Sequence, residues 1–224
     1  MAFEIPYQRQ FPAGSDRTCG AAALAMVYAS LGLEISQERI WEEIRPRACS
    51  VAWSARSSLL ARHALGRGLS AAVIQASQPW PALQSCWASG IRVILNHRLR
   101  PDSPLGHFSV LAGLASDAAL LHDPQLGPSR RLTRDELLRL WLPTASDSEI
   151  AGQVLVAIAL CGDAPQRCAA CHAGVPAMIE CPGCSSAFPP RPFAALGCVA
   201  ADCGARLWKY LFCPYCDVPL REIE

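Results

Sequence analysis

The chain has 224 residues, 51% of them apolar and 17% charged, with a formal net charge of +1. That composition excludes a disordered chain, and the near-neutral balance gives no electrostatic reason to bind nucleic acid or an anionic membrane surface. No apolar run reaches the roughly 18 residues of a spanning helix, and the opening MAFEIPYQRQ has neither the basic nor the apolar region of a signal peptide.

Taken in chain order, the first strong pattern begins at Cys19. Ala22, Leu24, Ala25, Met26, Ala29 and Leu31 predict a mostly buried helix that Gly32 closes. Asp16, just ahead of it, reads as a turn or cap residue. Residues 37–45 and 56–66 predict two further helices, and QPWPALQSCWASG predicts another, opened by Pro81 and stopped by Gly90. The period then changes. IRVILN, HFSVLAG, AALLHD and GQVLVAIAL are short aliphatic or β-branched runs between Pro, Asp, Ser and Gly, the pattern of strands. A helix, TRDELLRLW, interrupts them, with Thr133 and Glu136 at capping-box spacing. Trp41, Trp53, Trp80, Trp87 and Trp141 are expected in the core. His63 and His97 read as surface or satisfied core groups, and His122 as a surface residue on the face opposite Asp123.

The text shifts near residue 162. CGDAPQR (161–167) reads as a linker, and beyond it the chain is loop-rich and short of aliphatic residues, so it needs a staple. Eight of the twelve cysteines crowd there, spaced Cys168-x2-Cys171, nine residues, Cys181-x2-Cys184, thirteen residues, Cys198-x4-Cys203, nine residues, Cys213-x2-Cys216. Each close pair aims two sulfurs at one point, and two pairs complete the tetrahedral thiolate shell that zinc prefers. Two structural Zn2+ ions are expected, in a tandem ribbon of the double-zinc-ribbon type. The matched nine-residue gaps favour sequential sites, Cys168, Cys171, Cys181 and Cys184, then Cys198, Cys203, Cys213 and Cys216, with a nested or crossed arrangement still open. His172 is a bystander beside eight thiols. Thiolates on metal, without a signal peptide, fit a reducing cytoplasm. From Cys161 to Glu224 there are five basic and six acidic side chains, which disfavours phosphate binding. PPRPF and LWKYLF offer Pro-rich and aromatic surface instead, so protein docking is the expected role.

Of the remaining cysteines, Cys49, Cys86 and Cys161 are expected to pack. Cys19 is different, because it falls where a helix begins and where free N–H groups and the macrodipole favour a thiolate. Gln10 lies upstream in IPYQRQFPAG. GHFSVLAG starts a strand with His107, and LLHDP ends the next with Asp123. Neighbouring antiparallel strands can bring that imidazole and carboxylate together, and a base held by an orienter beside a thiol is the general form of an activated nucleophile.

Residues 4–161 resemble the peptidase C39-like family of papain-like cysteine peptidases, whose best-known members trim double-glycine leader peptides. The resemblance rests on IPYQRQFPAGSDRTCGAAALAMVYASLG, GIRVILN, GHFSVLAG, LLHDPQLGPSRRLTRDELLRLW and GQVLVAIAL, in order. It implies a papain-like fold with N-terminal helices on an antiparallel sheet, in keeping with the α+β pattern before residue 162; with the shift there, the chain divides into a peptidase domain, 1–161, and a zinc-ribbon domain, 162–224. It further implies Cys19 as nucleophile, His107 as general base and acid, Asp123 as orienting carboxylate and Gln10 as oxyanion donor. Gln8 competes with Gln10, because the Gln-to-Cys spacing is long. The expected activity is cleavage of a peptide or isopeptide bond in a protein or peptide substrate, with the ribbons docking the target. Transfer of the acyl group to an amine, or a non-catalytic adaptor built on the same fold, are the alternatives.

Overall fold

The computed structural model describes residues 3–12, 17–45, 55–144, 148–162 and 165–222. The expectations for Asp16, Cys49 and Trp53 fall outside them. Three helices lead the chain, α1 (Cys19–Ser30), α2 (Gln37–Ile44) and α3 (Ser57–Leu65). Ten of the twelve residues of α1 are buried, as a helix apolar on all sides requires. Its small residues permit close approach: a Cβ added at Gly20 would stand 3.3 Å from Ala55 and from the Phe108 ring. Helix α2 is amphipathic, burying Ile40, Trp41 and Ile44, and the Ser36 hydroxyl accepts from the Arg39 N–H at its start.

There follow β1 (Ser70–Ala76), α4 (Pro79–Ala88), β2 (Arg92–Arg98), β3 (Gly106–Leu114), β4 (Ala118–Asp123), β5 (Gly127–Thr133), α5 (Arg134–Leu140) and β6 (Val154–Ala159). Beyond the linker come β7 (Ile179–Glu180), β8 (Ala187–Phe188), α6 (Phe193–Leu196), β9 (Trp208–Phe212) and β10 (Pro219–Leu220). Eight strands form one antiparallel sheet in the order β10-β9-β1-β6-β2-β3-β4-β5. The strand pleat sorts side chains between two cores. Val73, Ile94, Val110 and Val156 pack with Leu24, Met26, Ile40 and Leu60 of the leading helices. Ile74, Leu95, Leu111 and Leu155 pack on the opposite face with Trp80 and Leu83 of α4 and Leu137 of α5.

The C-terminal segment enters that second core. Ile179, Phe188, Leu196, Trp208 and Leu211 belong to the same cluster as the α4 side chains, and the Ser85 hydroxyl donates to the Ala194 carbonyl at 2.7 Å. Strand β9 pairs antiparallel with β1, setting Ile74 opposite Leu211 and Val73 opposite Phe212. A segment too poor in aliphatic residues to build its own core therefore borrows one, and the sheet runs unbroken across the linker.

Three local expectations change. Helix α4 opens at Pro79, not Pro81, with Pro in its first turn where the missing N–H costs nothing. Strands β1 and β5 carry no periodic signal in the sequence. SAAVIQA is Ala-rich and buried on both faces, so it lacks alternation, whereas GPSRRLT is a polar edge strand. His122 is not a surface residue: it is buried, its Nε2 donating to the Ile5 carbonyl at 2.9 Å and its Nδ1 accepting from the Ser129 N–H at 3.0 Å. The bond to Ile5 pins the N-terminal strap to β4. Thr133 and Glu136 do form the reciprocal capping box at α5. No helix among the described residues is long and apolar enough to cross a membrane.

Because Leu211 is buried in a core shared by both parts of the chain, Leu211→Ala is expected to cost about 2–5 kcal/mol. Chemical denaturation of the full chain, followed separately by ribbon and helix signals, should show both signals shifting together in one transition.

Candidate active site

Cys19 is the first residue of α1. The Thr18 hydroxyl ahead of it donates to the Phe11 carbonyl at 2.7 Å, so it leaves the first N–H groups of the helix uncapped beside the thiol. Although only 5% exposed, Cys19 lines a cavity of about 400 Å3 with Ser57, Asn96, Gly106 and Phe108 among its neighbours. His107 stands at the start of β3 and Asp123 at the end of β4, the strand paired antiparallel with it. His107 Nε2 lies 2.9 Å from Asp123 Oδ1. With Nε2 engaged, Nδ1 is the ring nitrogen left for Cys19, whose thiol feels the His107 charge. Three side chains far apart in the chain thus form one connected row.

Asp123 is completely buried, and its charge is saturated. Oδ1 accepts from His107 and from the Gln125 and Leu126 N–H groups, both at 2.9 Å, and Oδ2 accepts from Arg130 Nη1 at 2.5 Å. Burial alone would raise its carboxyl, but the His107 bond and charge and the turn N–H groups hold it well below the ordinary carboxylate range. Burial likewise disfavours the Cys19 thiolate. The positive His107, its hydrogen bond, the Phe108 N–H and then Arg17 outweigh burial and bring the thiol below its ordinary value. Against its own burial, the Cys19 and Asp123 charges lift His107 from 6.5 to about 9. His107 therefore contributes stability below its unfolded value and loses it as pH rises through about 9, while Asp123 contributes above its ordinary value and loses it in acid. Both shifts act in the direction of a thiolate beside an imidazolium.

Neighbours constrain the row. His97 sits opposite His107 across the β2–β3 ladder, its ring edge-on at 5.7 Å. Burial and the His107 charge push it down to about 4, so it stays neutral between the Arg98 carbonyl and Ser109 Oγ. His97 and His63, the latter bonded to the Tyr28 hydroxyl at 2.6 Å, are satisfied core groups. Arg17 is bidentate to Glu149 at 2.5 and 2.9 Å. Sequence reasoning does not single out Arg130, His97 or Arg17 as site residues. Arg130 lies on the edge strand that lacks a periodic signal, and no spacing rule ties it to Asp123.

The two candidate glutamines differ. Gln8 Oε1 accepts from Gln37 Nε2 at 3.0 Å. Gln10 donates its backbone N–H to the Pro124 carbonyl at 3.0 Å, and its side-chain Oε1 is buried without a partner. The Thr18–Phe11 bond folds this strap back against the start of α1. Among the other thiols, Cys86 is buried and pushed up to about 12 by that burial. Cys161 is exposed rather than packed, its Sγ donating to the Gly68 carbonyl.

The eight C-terminal cysteines gather into two groups of four, each with its sulfurs within 4.8 Å of one another. The arrangement is crossed, not sequential: Cys168 and Cys171 join Cys198 and Cys203, while Cys181 and Cys184 join Cys213 and Cys216. All eight are free thiols. In every knuckle the N–H two residues after the first cysteine donates to its sulfur at 3.4 Å. Each group could hold a metal ion, and His172 belongs to neither.

The sequence profile of the peptidase C39 family matches residues 8–145. Among solved structures, a protein described as a C39-like peptidase from Bacillus anthracis superposes with a TM-score of 0.55 at 14% identity, covering 71% of this chain and 96% of its own. The peptidase domain of Streptococcus ComA, a bifunctional ABC transporter of a quorum-sensing pathway, gives 0.49 at 17% identity, covering 70% and 99%. A double-glycine-motif protease from an AMS/PCAT transporter, in complex with its leader peptide, gives 0.46 at 21%, covering 70% and 93%. A search of the curated proteins found no match.

Alkylation by iodoacetamide at pH 7, mapped by mass spectrometry, should modify Cys19 far faster than Cys86. In His107→Ala the positive partner is gone and burial remains, so the pH inflection for Cys19 moves upward. The thiolate fraction at pH 7 drops by about a decade for every pH unit that the inflection climbs, so the labelling rate is expected to fall about tenfold or more.

Proposed function

The chain belongs to the peptidase C39 family and is a cysteine peptidase; from that premise we propose that Cys19 is its nucleophile, His107 its general base and acid, and Asp123 the carboxylate that orients the imidazole. The observation that carries this reading is the His107 ring held by the Asp123 carboxylate at 2.9 Å and near enough to the thiol at the helix start to lower its pKa. The Cys19 thiolate attacks the carbonyl carbon of a peptide or isopeptide bond. The resulting oxyanion is met by the Cys19 backbone N–H and by the side-chain amide of Gln10. His107 then donates its Nδ1 proton to the leaving amine, and the acyl group remains on sulfur as a thioester. A water deprotonated by His107 attacks that thioester and releases the acid and the thiol. Asp123 stays ionised throughout and fixes the ring so that Nδ1 faces the sulfur.

Gln10 is preferred to Gln8 because its amide has no partner, whereas Gln8 is bonded to Gln37. A Gln side chain can rotate to exchange Oε1 and Nε2, so the buried end of Gln10 can present a donor.

In this reading residues 1–161 carry the chemistry and 162–224 form a ribbon around two zinc ions. Four ligands at a Zn–S distance of about 2.3 Å imply sulfurs about 3.8 Å apart. The Cys168–Cys203, Cys171–Cys198, Cys181–Cys216 and Cys184–Cys213 sulfur separations of 3.9, 3.6, 3.5 and 3.8 Å suit that shell. The two cysteine groups would hold the ions, and the ions would in turn hold the knuckles together. A reducing compartment such as the cytoplasm keeps such thiols available, and the ribbon's docking role is protein recognition.

Turnover of a mixed fluorogenic peptide library should fall about 10²–10³-fold in kcat for Gln10→Ala, while Gln8→Ala stays near the wild-type value. Equal losses in both variants would reassign the oxyanion donor. Elemental analysis of the purified chain should find two zinc ions, one per cysteine group, and their removal by a strong chelator should lower the thermal midpoint.

A further inference from the structure

The cavity at Cys19 is not built by the catalytic segment alone. Its lining includes Phe212 and Asp217 from the cysteine-rich segment, facing Val73, Val154, Phe108 and Arg56. Both residues are placed by backbone pairing around Cys213. Phe212 ends β9 opposite Val73 of β1 and precedes Cys213, so its ring takes the helix-side face of the sheet beside the cavity. Asp217 follows Cys216 with φ of 65° and donates its N–H to the Cys213 carbonyl at 3.0 Å. His172 and Ser185 follow Cys171 and Cys184 with the same left-handed backbone. The turn geometry is therefore general, and an acid at this position is specific to the knuckle that meets the cavity.

Charge decides what this wall can select. Two acids line the cavity, Glu149 and Asp217. Glu149 is already committed to a bidentate Arg17 and the Gly106 N–H. Among the described residues the charged partner of Asp217 is Arg56 at 3.9 Å, with Ser58 close by, both at the start of α3, and the Arg56 side chain is 72% exposed. A solvated arginine at that distance is held weakly, and an incoming cation can take its place. Beside that carboxylate lies the apolar surface of Phe212, Val73, Val154 and Ala55.

We propose that Phe212 and Asp217 are specificity-determining residues of the peptidase, selecting a peptide that presents an apolar side chain next to a basic one. This deepens the reading of Cys19 as the nucleophile and rests on it. The knuckle of Cys213 and Cys216 carries both residues on its flanks, so the cysteine group it belongs to shapes the substrate wall directly.

The test uses the full chain with Cys19→Ala, so that peptides bind without turnover. Fluorescein-labelled peptide pools carry one leucine and either two lysines or two glutamates at randomised positions among serines, and fluorescence anisotropy reads affinity. The lysine pool should bind about fivefold tighter, the scale of one partly exposed ion pair. Asp217→Asn, which tolerates the left-handed backbone, should abolish that preference while zinc content stays unchanged. Phe212→Ala should weaken both pools alike. Arg56→Ala, on the other side of the cavity, should strengthen lysine-pool binding, and it keeps the test open should Asp217→Asn lose its metal. A preference unchanged in Asp217→Asn with metal retained, or no lysine preference in the parent, overturns the proposal. Iodoacetamide labelling of Cys19 in the wild-type chain separates the two readings. Fast labelling beside a missing lysine preference leaves the nucleophile standing and removes the wall, whereas a lysine preference that Asp217→Asn abolishes, beside an inert Cys19, does the reverse.

Discussion

A carboxylate with no access to water must have its charge met by the protein, and Asp123 is the place where this fold meets that demand. Leaving such a charge unpaired costs several kcal/mol, so the groups that answer it are fixed as firmly as any core side chain. They arrive from three directions: His107 from β3, the Gln125 and Leu126 N–H groups from the turn after β4, and Arg130 from β5. The N-terminal strap ties into the same turn through the Tyr7 hydroxyl on the Asp123 carbonyl and the Gln10 N–H on Pro124. Alignment of His107 with Cys19 follows from satisfying that one buried charge. Arg130 also shares the carboxylate, so no single partner meets its whole charge.

The second constraint is area. A short cysteine-rich segment exposes much of what it could bury, and here it resolves the shortage by adding β9 to the free edge of β1. Edge strands otherwise invite pairing with other chains. The addition covers one edge of the sheet, completes the core over α4, and carries Phe212 and Asp217 to the mouth of the Cys19 cavity. A docking accessory on a tether would do none of these.

How much of this is legible in the sequence depends on whether a feature is local. The helix at Cys19, strands β2, β3, β4 and β6, and the Thr133 capping box follow from periodicity and spacing, and the structure has them. His107 and Asp123 can be named because each stands at a strand end beside an apolar run. What stays hidden requires tertiary context. SAAVIQA is a strand only because both its faces are covered. His122 turns inward because the N-terminal strap offers the Ile5 carbonyl as a partner. Arg130 matters through a strand whose polar, exposed sequence gives no periodic signal. Cys161, by contrast, stays exposed because the chain leaves the sheet just before it, after Ala159.

The crossed cysteine groups show the same limit in its sharpest form, and they explain what two sites do that one could not. All four knuckles share the same 3.4 Å N–H···S bond, so that bond cannot choose a partner. The choice follows from β9. Trp208 opens that strand and donates its indole N–H to the Cys198 carbonyl at 2.9 Å, which places the group of Cys168, Cys171, Cys198 and Cys203 at one end. Phe212 closes it and leads directly into Cys213, which places the other group at the opposite end. A strand of five residues is thereby anchored at both termini as well as along its pairing with β1. Sequential sites would have left β9 running from a knuckle of its own site back to another of that same site, with nothing from the first half of the segment holding either end. Crossing makes each half of the segment hold the strand that forms the cavity wall.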